Sequence, residues 1–333
     1  MNPNFTKPGT SKRKPIALTQ DGLLKESLLR AGSRLPLLLE PAVEGVSLSQ
    51  WAVGKTDFIS EKLRSNGGIL FRGFSVSTLE EFEVFLQLLV GDLFNYSYRS
   101  TPRTQVSGHI YTSTQYPQHQ TIQLHNEMSY SRNWPMVIGF CCLEEPSHGG
   151  ETPLADSRKV FTAIQPEVRN RFIEKGVMYV RNYSDALDLS WRDVFQTTDP
   201  AEVETYCHEA GIEFEWKGVN ELQTRQVCQA VATHPHTGER VWFNQAHLFH
   251  VSGLEREIKQ SLVMSTSELP RNAYYGDGSC IEEDALEEIR TAYANETVVF
   301  PWQTKDVLVL DNMLTAHGRR PYKGARSIVV GMG

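Results

Sequence analysis

The segment DVLVLDNMLTAHGRRPYKGARSIVV, residues 306–330, combines two apolar runs with a turn-rich stretch that carries a histidine and an arginine. Its first run, VLVL, has the aliphatic and β-branched character of a buried strand and ends at Asp311 and Asn312, which favour turns. His317 follows this turn, and Arg326 lies nine residues later, across a stretch with Pro and Gly. The segment predicts short core strands, with His317 and Arg326 as candidate functional residues.

Short apolar runs of the same kind recur after residue 120, each bounded by Gly, Pro, Asp or Asn. They are MVIGFCCL, VMYVRNY, RVWFNQAHLFHV, TVVFPW, DVLVLDN and SIVVGM. Many short strands predict a sandwich or barrel. Earlier in the chain, apolar residues recur at helical spacing from Leu48 to Ser65 and from Thr78 to Leu93, on either side of a predicted strand in GGILFRGF. We therefore expect a mixed α/β fold that is mainly β.

The domain organisation follows from composition and pattern. Residues 1–15 combine Pro, Ser, Thr, Gly and basic residues, so we expect a disordered tail, followed by a single domain over residues 16–333. Within that domain, residues 185–240 and 253–296 return to a helix and loop pattern. These two stretches are predicted insertions that cover one face of the sheet structure.

Composition narrows the class of protein. The chain has 333 residues, 40% of them hydrophobic, and a formal net charge of −7, which argues against a nucleic-acid partner and favours a small molecule or a protein. Five cysteines without CxxC spacing predict a reduced, cytoplasmic protein. Neither a signal peptide nor a membrane segment is expected. A homo-oligomer is compatible with all of this.

A candidate metal site begins in TIQLHNEMSYS, residues 121–131, where His125 and Glu127 are two residues apart. On an extended strand both side chains point to one face. About one such pair is expected by chance in this composition, so the pair alone decides nothing. His317 completes a set of two histidines and one carboxylate, the facial triad of non-haem Fe(II) oxygenases, which leaves three positions open on an octahedral ion.

With these residues the chain resembles the taurine dioxygenase family of iron(II)- and 2-oxoglutarate-dependent oxygenases, particularly its clavaminate synthase-like and syringomycin aspartyl-hydroxylase-like branch. The resemblance covers most of residues 65–333. Besides HNE and HGRRPYKGAR, it rests on four motifs in the expected order: LFRGF at 70–74, YRSTPRT at 98–104, GGETPLADS at 149–157 and HPHTGERVWFNQAH at 234–247.

The resemblance implies a double-stranded β-helix, or jelly roll, with the triad at its open mouth. It implies Fe(II), 2-oxoglutarate and O2 as cofactor and co-substrates, with Arg326 on the C5 carboxylate of 2-oxoglutarate and Thr152 adding a hydroxyl. A guanidinium suits that role because its planar fork matches a carboxylate. Since Glu127 occupies the carboxylate position that related halogenases lack, halogenation is disfavoured.

The implied reaction is hydroxylation of an unactivated C–H bond in natural-product biosynthesis, on an amino acid or a derivative that is free or tethered to a carrier protein. Arg103, Asn244 and His247 are candidate substrate contacts, with core or loop packing as the alternative. Arg319 and Arg320 are interpreted as part of a solvated turn, without a functional role.

Other functions remain open at this stage. Desaturation, epoxidation or cyclisation on the same scaffold, and release of sulfite from a sulfonate, use the same ligands. A divalent-metal hydrolase with the same triad would leave Arg326 and Thr152 unexplained. A non-catalytic binding protein is a further alternative, although it would not need all three ligands.

Overall fold

An eight-stranded sheet lies at the centre of the computed structural model, which describes residues 24–30, 32–94, 98, 103–113, 116–184, 189–254 and 269–333. The predicted tail at residues 1–15 and parts of both predicted insertions lie outside the described residues. Among the described residues, no helix has the length and apolar character needed to cross a bilayer.

The strands are numbered in chain order. They are β1 (Leu24–Arg30), β2 (Ser33–Pro41), β3 (Gly68–Phe71), β4 (Gln105–Ser107), β5 (Ile110–Thr112), β6 (Ile122–His125), β7 (Val137–Glu144), β8 (His148–Gly149), β9 (Leu154–Asp156), β10 (Val177–Tyr183), β11 (Glu213–Trp216), β12 (Leu222–Cys228), β13 (Val231–Thr233), β14 (Arg240–Trp242), β15 (Arg271–Tyr275), β16 (Val307–Asp311), β17 (Thr315–Arg319), β18 (Tyr322–Lys323) and β19 (Ser327–Met332).

Several helices begin after a residue whose side chain caps the first turn. Ser47 and Thr78 accept hydrogen bonds from the first turns of α1 and α3, and Asp156 does the same for α4. The helices are α1 (Leu48–Ala52), α2 (Thr56–Asn66), α3 (Leu79–Val90), α4 (Ser157–Ala163), α5 (Pro166–Lys175), α6 (Trp191–Phe195), α7 (Pro200–Ala210), α8 (Ala246–Phe249) and α9 (Glu283–Glu296).

The large sheet has the order β1-β2-β3-β16-β7-β19-β5-β4, and all its pairs are antiparallel except β2 with β3. The central strands β3, β16 and β19 are buried on both faces, whereas the edge strands β1 and β4 are largely exposed. Successive residues of a strand alternate between the two faces, as its pleat requires. Val307 and Val309 pack with Phe85 against the layer of α1 to α3. Leu308 and Leu310 belong to the core on the opposite face. The run VLVL is thus a central strand buried on both sides.

A second, three-stranded sheet with the order β6-β17-β9 carries the candidate metal ligands. In the antiparallel pair of β6 and β17, His125 lies opposite His317. The predicted mixed α/β, mainly β, architecture is therefore present, and the two histidines that are far apart in sequence are cross-strand neighbours.

Several local predictions were wrong. The insertions are not only helix and loop: β11, β12 and β15 pair with β10 in a four-stranded sheet, order β11-β12-β10-β15. TVVFPW forms no strand, only an isolated bridge between Val298 and Leu154, because it follows α9 directly and Pro301 lacks an N–H. RVWFNQAHLFHV is a strand only over β14 and then turns into the short helix α8.

Candidate metal and co-substrate site

The three candidate ligands converge where β6 ends. The carboxylate Oε2 of Glu127 lies 4.0 Å from Nε2 of His125 and 3.8 Å from Nε2 of His317. The three ligand atoms all lie within 4.8 Å of one another. Across the described part of the chain, no other group of three or more His, Cys, Asp or Glu side chains has metal-binding geometry.

The backbone of the His125–Glu127 pair is held by buried amides. Asn312 accepts a hydrogen bond from the Glu127 N–H at 2.7 Å and donates to its C=O at 2.9 Å. Asn126, between the two ligands, donates to the carbonyl of Asn312 at 2.6 Å, and Gln245 donates to the carbonyl of Asn126 at 2.8 Å. The turn after β16 therefore fixes the chelating pair next to the strand that carries His317.

Hydrogen bonding prepares His125 as a ligand. Its Nδ1–H donates to the carbonyl of Gln123 at 2.8 Å, which leaves the Nε2 lone pair directed toward the cluster. Loss of hydration lowers the pKa of His125 and holds the pKa of His317 well below its usual range. Both imidazoles are therefore neutral, as metal binding requires.

The donor set fits a ferrous ion. Two neutral imidazole nitrogens and one carboxylate are the ligands typical of non-haem iron oxygenases. Buried Nδ1 of His317 has no hydrogen-bond partner among the described residues, and the His317 ring packs edge-on against Phe140 at 5.2 Å. Packing rather than a polar partner sets the orientation of this imidazole.

A cavity connects the histidines with the two residues that the family resemblance assigns to 2-oxoglutarate. Its lining includes His125, His317, Thr152 and Arg326, together with Arg103. The structure thus brings the two histidines of the predicted metal site and the predicted co-substrate residues Thr152 and Arg326 into one cavity.

Arg326 is held at the wall of this cavity. Its Nε donates to the carbonyl of Gly150 at 3.0 Å, and its Nη1 lies 3.4 Å from the Ser113 hydroxyl. Burial and the neighbouring Arg319 lower its pKa to about 10, so it still carries a positive charge at neutral pH. Gly149 and Gly150 both have φ near +70°, which explains the GG of the GGETP motif.

Thr152 is buried beside the same cavity. Its hydroxyl oxygen accepts a hydrogen bond from the indole Nε1 of Trp302 at 3.1 Å. The hydroxyl hydrogen can therefore be donated to an anionic oxygen in the cavity. Trp302 was not identified from sequence, because its role depends on a contact across 150 residues.

Arg319 was also missed. Arg320 is exposed, as expected for a solvated turn. Arg319, in contrast, is only 4% exposed and donates hydrogen bonds to backbone carbonyls of the loop that precedes β6. Those carbonyls belong to Tyr116, Pro117 and Gln120. Both guanidinium groups lie near the ring of Tyr322, with its centroid 5.3 Å from that of Arg319 and 5.6 Å from that of Arg326. One wall of the cavity is thus strongly positive.

Asn244 and His247 are buried and bonded to backbone. Asn244 donates to the carbonyl of Ala230 at 2.8 Å and accepts from the N–H of Ala246 at 3.0 Å. His247 donates through Nε2 to the carbonyl of Leu124 at 3.0 Å, next to the ligand His125. Their predicted substrate contacts remain predictions, and these bonds favour the packing alternative instead.

Comparison with known proteins decides the family. Residues 33–332 match the family described as "Taurine catabolism dioxygenase TauD, TfdA family". The chain belongs to this family. It is accordingly an iron- and 2-oxoglutarate-dependent dioxygenase, as the sequence motifs predict.

Two curated relatives support the assignment. The chain is 40% identical over 276 residues to the "Dapdiamide synthesis protein DdaC" of Enterobacter agglomerans, covering 82% of this chain and 84% of that protein. It is 28% identical over 303 residues to a "Clavaminate synthase-like protein" of Arabidopsis thaliana, covering 88% and 89%. The predicted resemblance to the clavaminate synthase-like branch is confirmed.

Solved structures confirm the jelly-roll fold. PvcB, described as an Fe, alpha-ketoglutarate-dependent oxygenase from an isonitrile synthetic pathway, superposes with a TM-score of 0.56 at 15% identity over 95% of this chain and 93% of that one. AAD-2 in complex with Mn(II) and N-oxalylglycine superposes with a TM-score of 0.54 at 14% identity, over 93% of this chain and 96% of that one. With the family membership, they agree with the predicted iron and 2-oxoglutarate dependence.

Proposed function

We propose that this dioxygenase hydroxylates an unactivated C–H bond of an amino acid or amino-acid-derived small molecule, free or tethered to a carrier protein, in natural-product biosynthesis. The single observation that carries the proposal is the cross-strand cluster of His125, Glu127 and His317 beside the Arg326 cavity. The dapdiamide synthesis relative, at 40% identity, favours a biosynthetic role over sulfonate breakdown.

In this proposal His125, Glu127 and His317 hold Fe(II). Fe(II) bound by these residues, together with 2-oxoglutarate, would supply the oxidising chemistry, which consumes O2 and converts the co-substrate to succinate and CO2. The chain itself provides neutral imidazoles, a fixed carboxylate and a backbone that Asn312 clamps. These features hold the donor atoms together before any ligand arrives.

Arg326 and Thr152 would bind the distal carboxylate of 2-oxoglutarate. The guanidinium is buried, charged and oriented by Gly150, so it can offer charge-assisted hydrogen bonds to a carboxylate that enters the cavity. Thr152, fixed by Trp302, would donate a further hydrogen bond. A hydrolase would have no use for this second anion site, which favours the oxygenase with its dicarboxylate co-substrate.

The proposal is tested on purified protein under anaerobic conditions. Adding Fe(II) and 2-oxoglutarate should produce the weak visible charge-transfer band of the chelated co-substrate. His317→Ala should abolish the band, and Arg326→Ala should require far more 2-oxoglutarate. The matched control Arg320→Ala removes an exposed arginine near the site and should behave like wild type. Wild type with confirmed bound iron but no band would refute the site assignment.

The substrate class is tested by succinate release. Free amino acids, the same amino acids as carrier-protein thioesters, and taurine are compared at equal concentrations, and products are identified by mass. Addition of one oxygen atom to an amino-acid substrate is the expected result. Turnover of taurine alone, with sulfite release, would move the protein to the sulfonate branch, and loss of two hydrogens would identify a desaturase.

A further inference from the structure

We infer that Arg103 is a positioning residue that holds the Glu127 carboxylate ready for the metal, rather than a contact for the substrate. The inference rests on the proposed metal site and adds a residue to it. Arg103 Nη2 donates to Glu127 Oε2 at 2.7 Å, and both side chains are only 4% exposed. This oxygen is also the one that lies close to Nε2 of His125 and His317.

Burying the ion pair between Arg103 and Glu127 costs hydration free energy. Two charges removed from water lose hydration, and their attraction compensates only when the geometry is good. A guanidinium keeps its charge when buried, and its planar N–H groups fix the direction of the carboxylate that accepts from them. Arg103 therefore keeps Glu127 in one orientation, with its charge compensated, while the metal is absent.

The position of Arg103 in the chain fits this role. It lies just before β4 at the edge of the large sheet, whereas Glu127 follows β6 of the three-stranded sheet. Its Nη1 also lies 3.9 Å from the sulfur of Met332 in β19. The ion pair thus ties the carboxylate ligand to a different part of the fold from the one that Asn312 uses to hold its backbone.

Removal of Arg103 leaves a buried carboxylate without its observed cationic partner. The side chain of Glu127 would then turn toward other donors, and part of the metal-binding energy would be needed to bring it back. Partners of metal ligands typically change metal affinity by about 10- to 100-fold when they are removed. We expect a loss of that size for Arg103→Met, which retains a long apolar side chain without the charge.

The test measures Mn(II) affinity of the metal-free full-length protein by electron paramagnetic resonance, at one fixed pH, together with the melting temperature. Arg103→Lys keeps the charge without the planar fork and should bind Mn(II) with intermediate affinity. The matched control is Arg72→Met. Arg72 forms a similar ion pair with buried Asp306 at 2.6 Å, away from the candidate ligands, so its removal should lower the melting temperature without weakening Mn(II) binding.

Three outcomes overturn the inference. The first is an Mn(II) affinity in Arg103→Met that equals or exceeds that of wild type, and the second is an equal loss of affinity in Arg103→Met and Arg72→Met. If Arg103→Met does not fold, the third is wild-type affinity in Arg103→Lys. The variant His317→Ala distinguishes a failure of the positioning role from a failure of the proposed metal site. If His317→Ala binds Mn(II) like wild type, the metal site itself is wrong; if only Arg103→Met is unaffected, the positioning role alone fails.

Discussion

His125 and His317 show how a few side chains turn a β-pair into a candidate metal site. They face each other across β6 and β17, with ring centroids 4.6 Å apart. The two histidines could be assigned to one candidate site only through the ordered motifs of the family resemblance, because a His-x-Glu pair by itself is expected about once by chance. The partners that orient them, such as Arg103 and Asn312, could not, since each contact joins distant segments.

Arg326→Lys should separate co-substrate binding from metal binding. A lysine keeps the positive charge but offers no planar fork, so we expect the KM for 2-oxoglutarate to rise roughly 10- to 100-fold, the equivalent of one charged hydrogen bond. Affinity for Mn(II) should not change. The control Arg320→Lys alters an exposed neighbour and should leave both values as in wild type. An unchanged KM in Arg326→Lys would contradict the anchor role.

His247 should make the protein sensitive to acid. Its Nε2–H donates to the carbonyl of Leu124, and its buried Nδ1 has no hydrogen-bond partner among the described residues. Burial therefore lowers the pKa of His247 to about 4, below its ordinary value of 6.5. As the pH falls, His247 takes up a proton in the unfolded chain near pH 6.5 but in the folded protein only near pH 4. The stability that neutral His247 contributes is therefore complete above pH 6.5 and is lost as the pH falls toward 4.

Protonation of His247 should lower the free energy of unfolding by on the order of 3 kcal/mol between pH 6.5 and pH 4. Urea unfolding at pH 7 and pH 4.5 should show a smaller pH-dependent loss in His247→Gln than in wild type, because glutamine can keep the hydrogen bond to Leu124 without taking up a proton. Equal losses in both proteins would show that other groups control acid stability.

At the scale of the elements, the approach of β6 and β17 depends on Gly318. A Cβ atom at this position would lie 2.5 Å from the carbonyl oxygen of Ile122 in the partner strand. Because that oxygen belongs to the backbone, it cannot move aside without shifting the strand that carries His125. A glycine next to the candidate ligand His317 therefore permits the close approach of β6 and β17.

Gly318→Ala should lower the free energy of unfolding by about 1–3 kcal/mol, the usual cost of overpacking, and should also weaken Mn(II) binding. Gly218→Ala is the matched control, since a Cβ there meets nothing closer than 3.7 Å and its φ is not positive. Stability is measured by urea unfolding and Mn(II) affinity by titration. Normal Mn(II) affinity in Gly318→Ala would mean that strand spacing does not control the site.

The strands differ in how well the sequence pattern predicts them. The run VLVL and the strand in GGILFRGF were predicted correctly because buried strands of the central sheet need uninterrupted apolar residues. The strands β11 and β12 were missed, because EFEW and LQTRQVC carry polar residues that also suit helices and loops. β11 is partly exposed, whereas β12 is mostly buried and places polar side chains such as Gln223 and Thr224 in the interior. An uninterrupted apolar run, and not burial by itself, made a strand recognisable.

At the scale of the molecule, the large sheet joins distant parts of the chain. β16, near the C-terminal end, lies between β3 and β7, and β19 lies between β7 and β5. The core on the face of the large sheet opposite α1 to α3 includes Leu308 and also residues from the predicted insertions, such as Trp191 and Leu222. We propose on this basis that residues 16–333 form one domain.

One domain should unfold in one step. The rings of Trp191 and Trp216 contact each other at 5.3 Å within the first insertion, whereas Trp51 packs in the helical layer on the other face of the large sheet. Tryptophan fluorescence and far-ultraviolet circular dichroism should therefore give coincident denaturation curves. A fluorescence transition that precedes the loss of secondary structure would indicate a separately unfolding insertion.

The most direct test of the central claim is an anaerobic crystal structure with Fe(II) and 2-oxoglutarate, with anomalous scattering recorded at the iron absorption edge. We expect one iron peak bound by His125, Glu127 and His317, with the distal carboxylate of 2-oxoglutarate on Arg326. An iron peak elsewhere, or a co-substrate that does not reach Arg326, would contradict that claim.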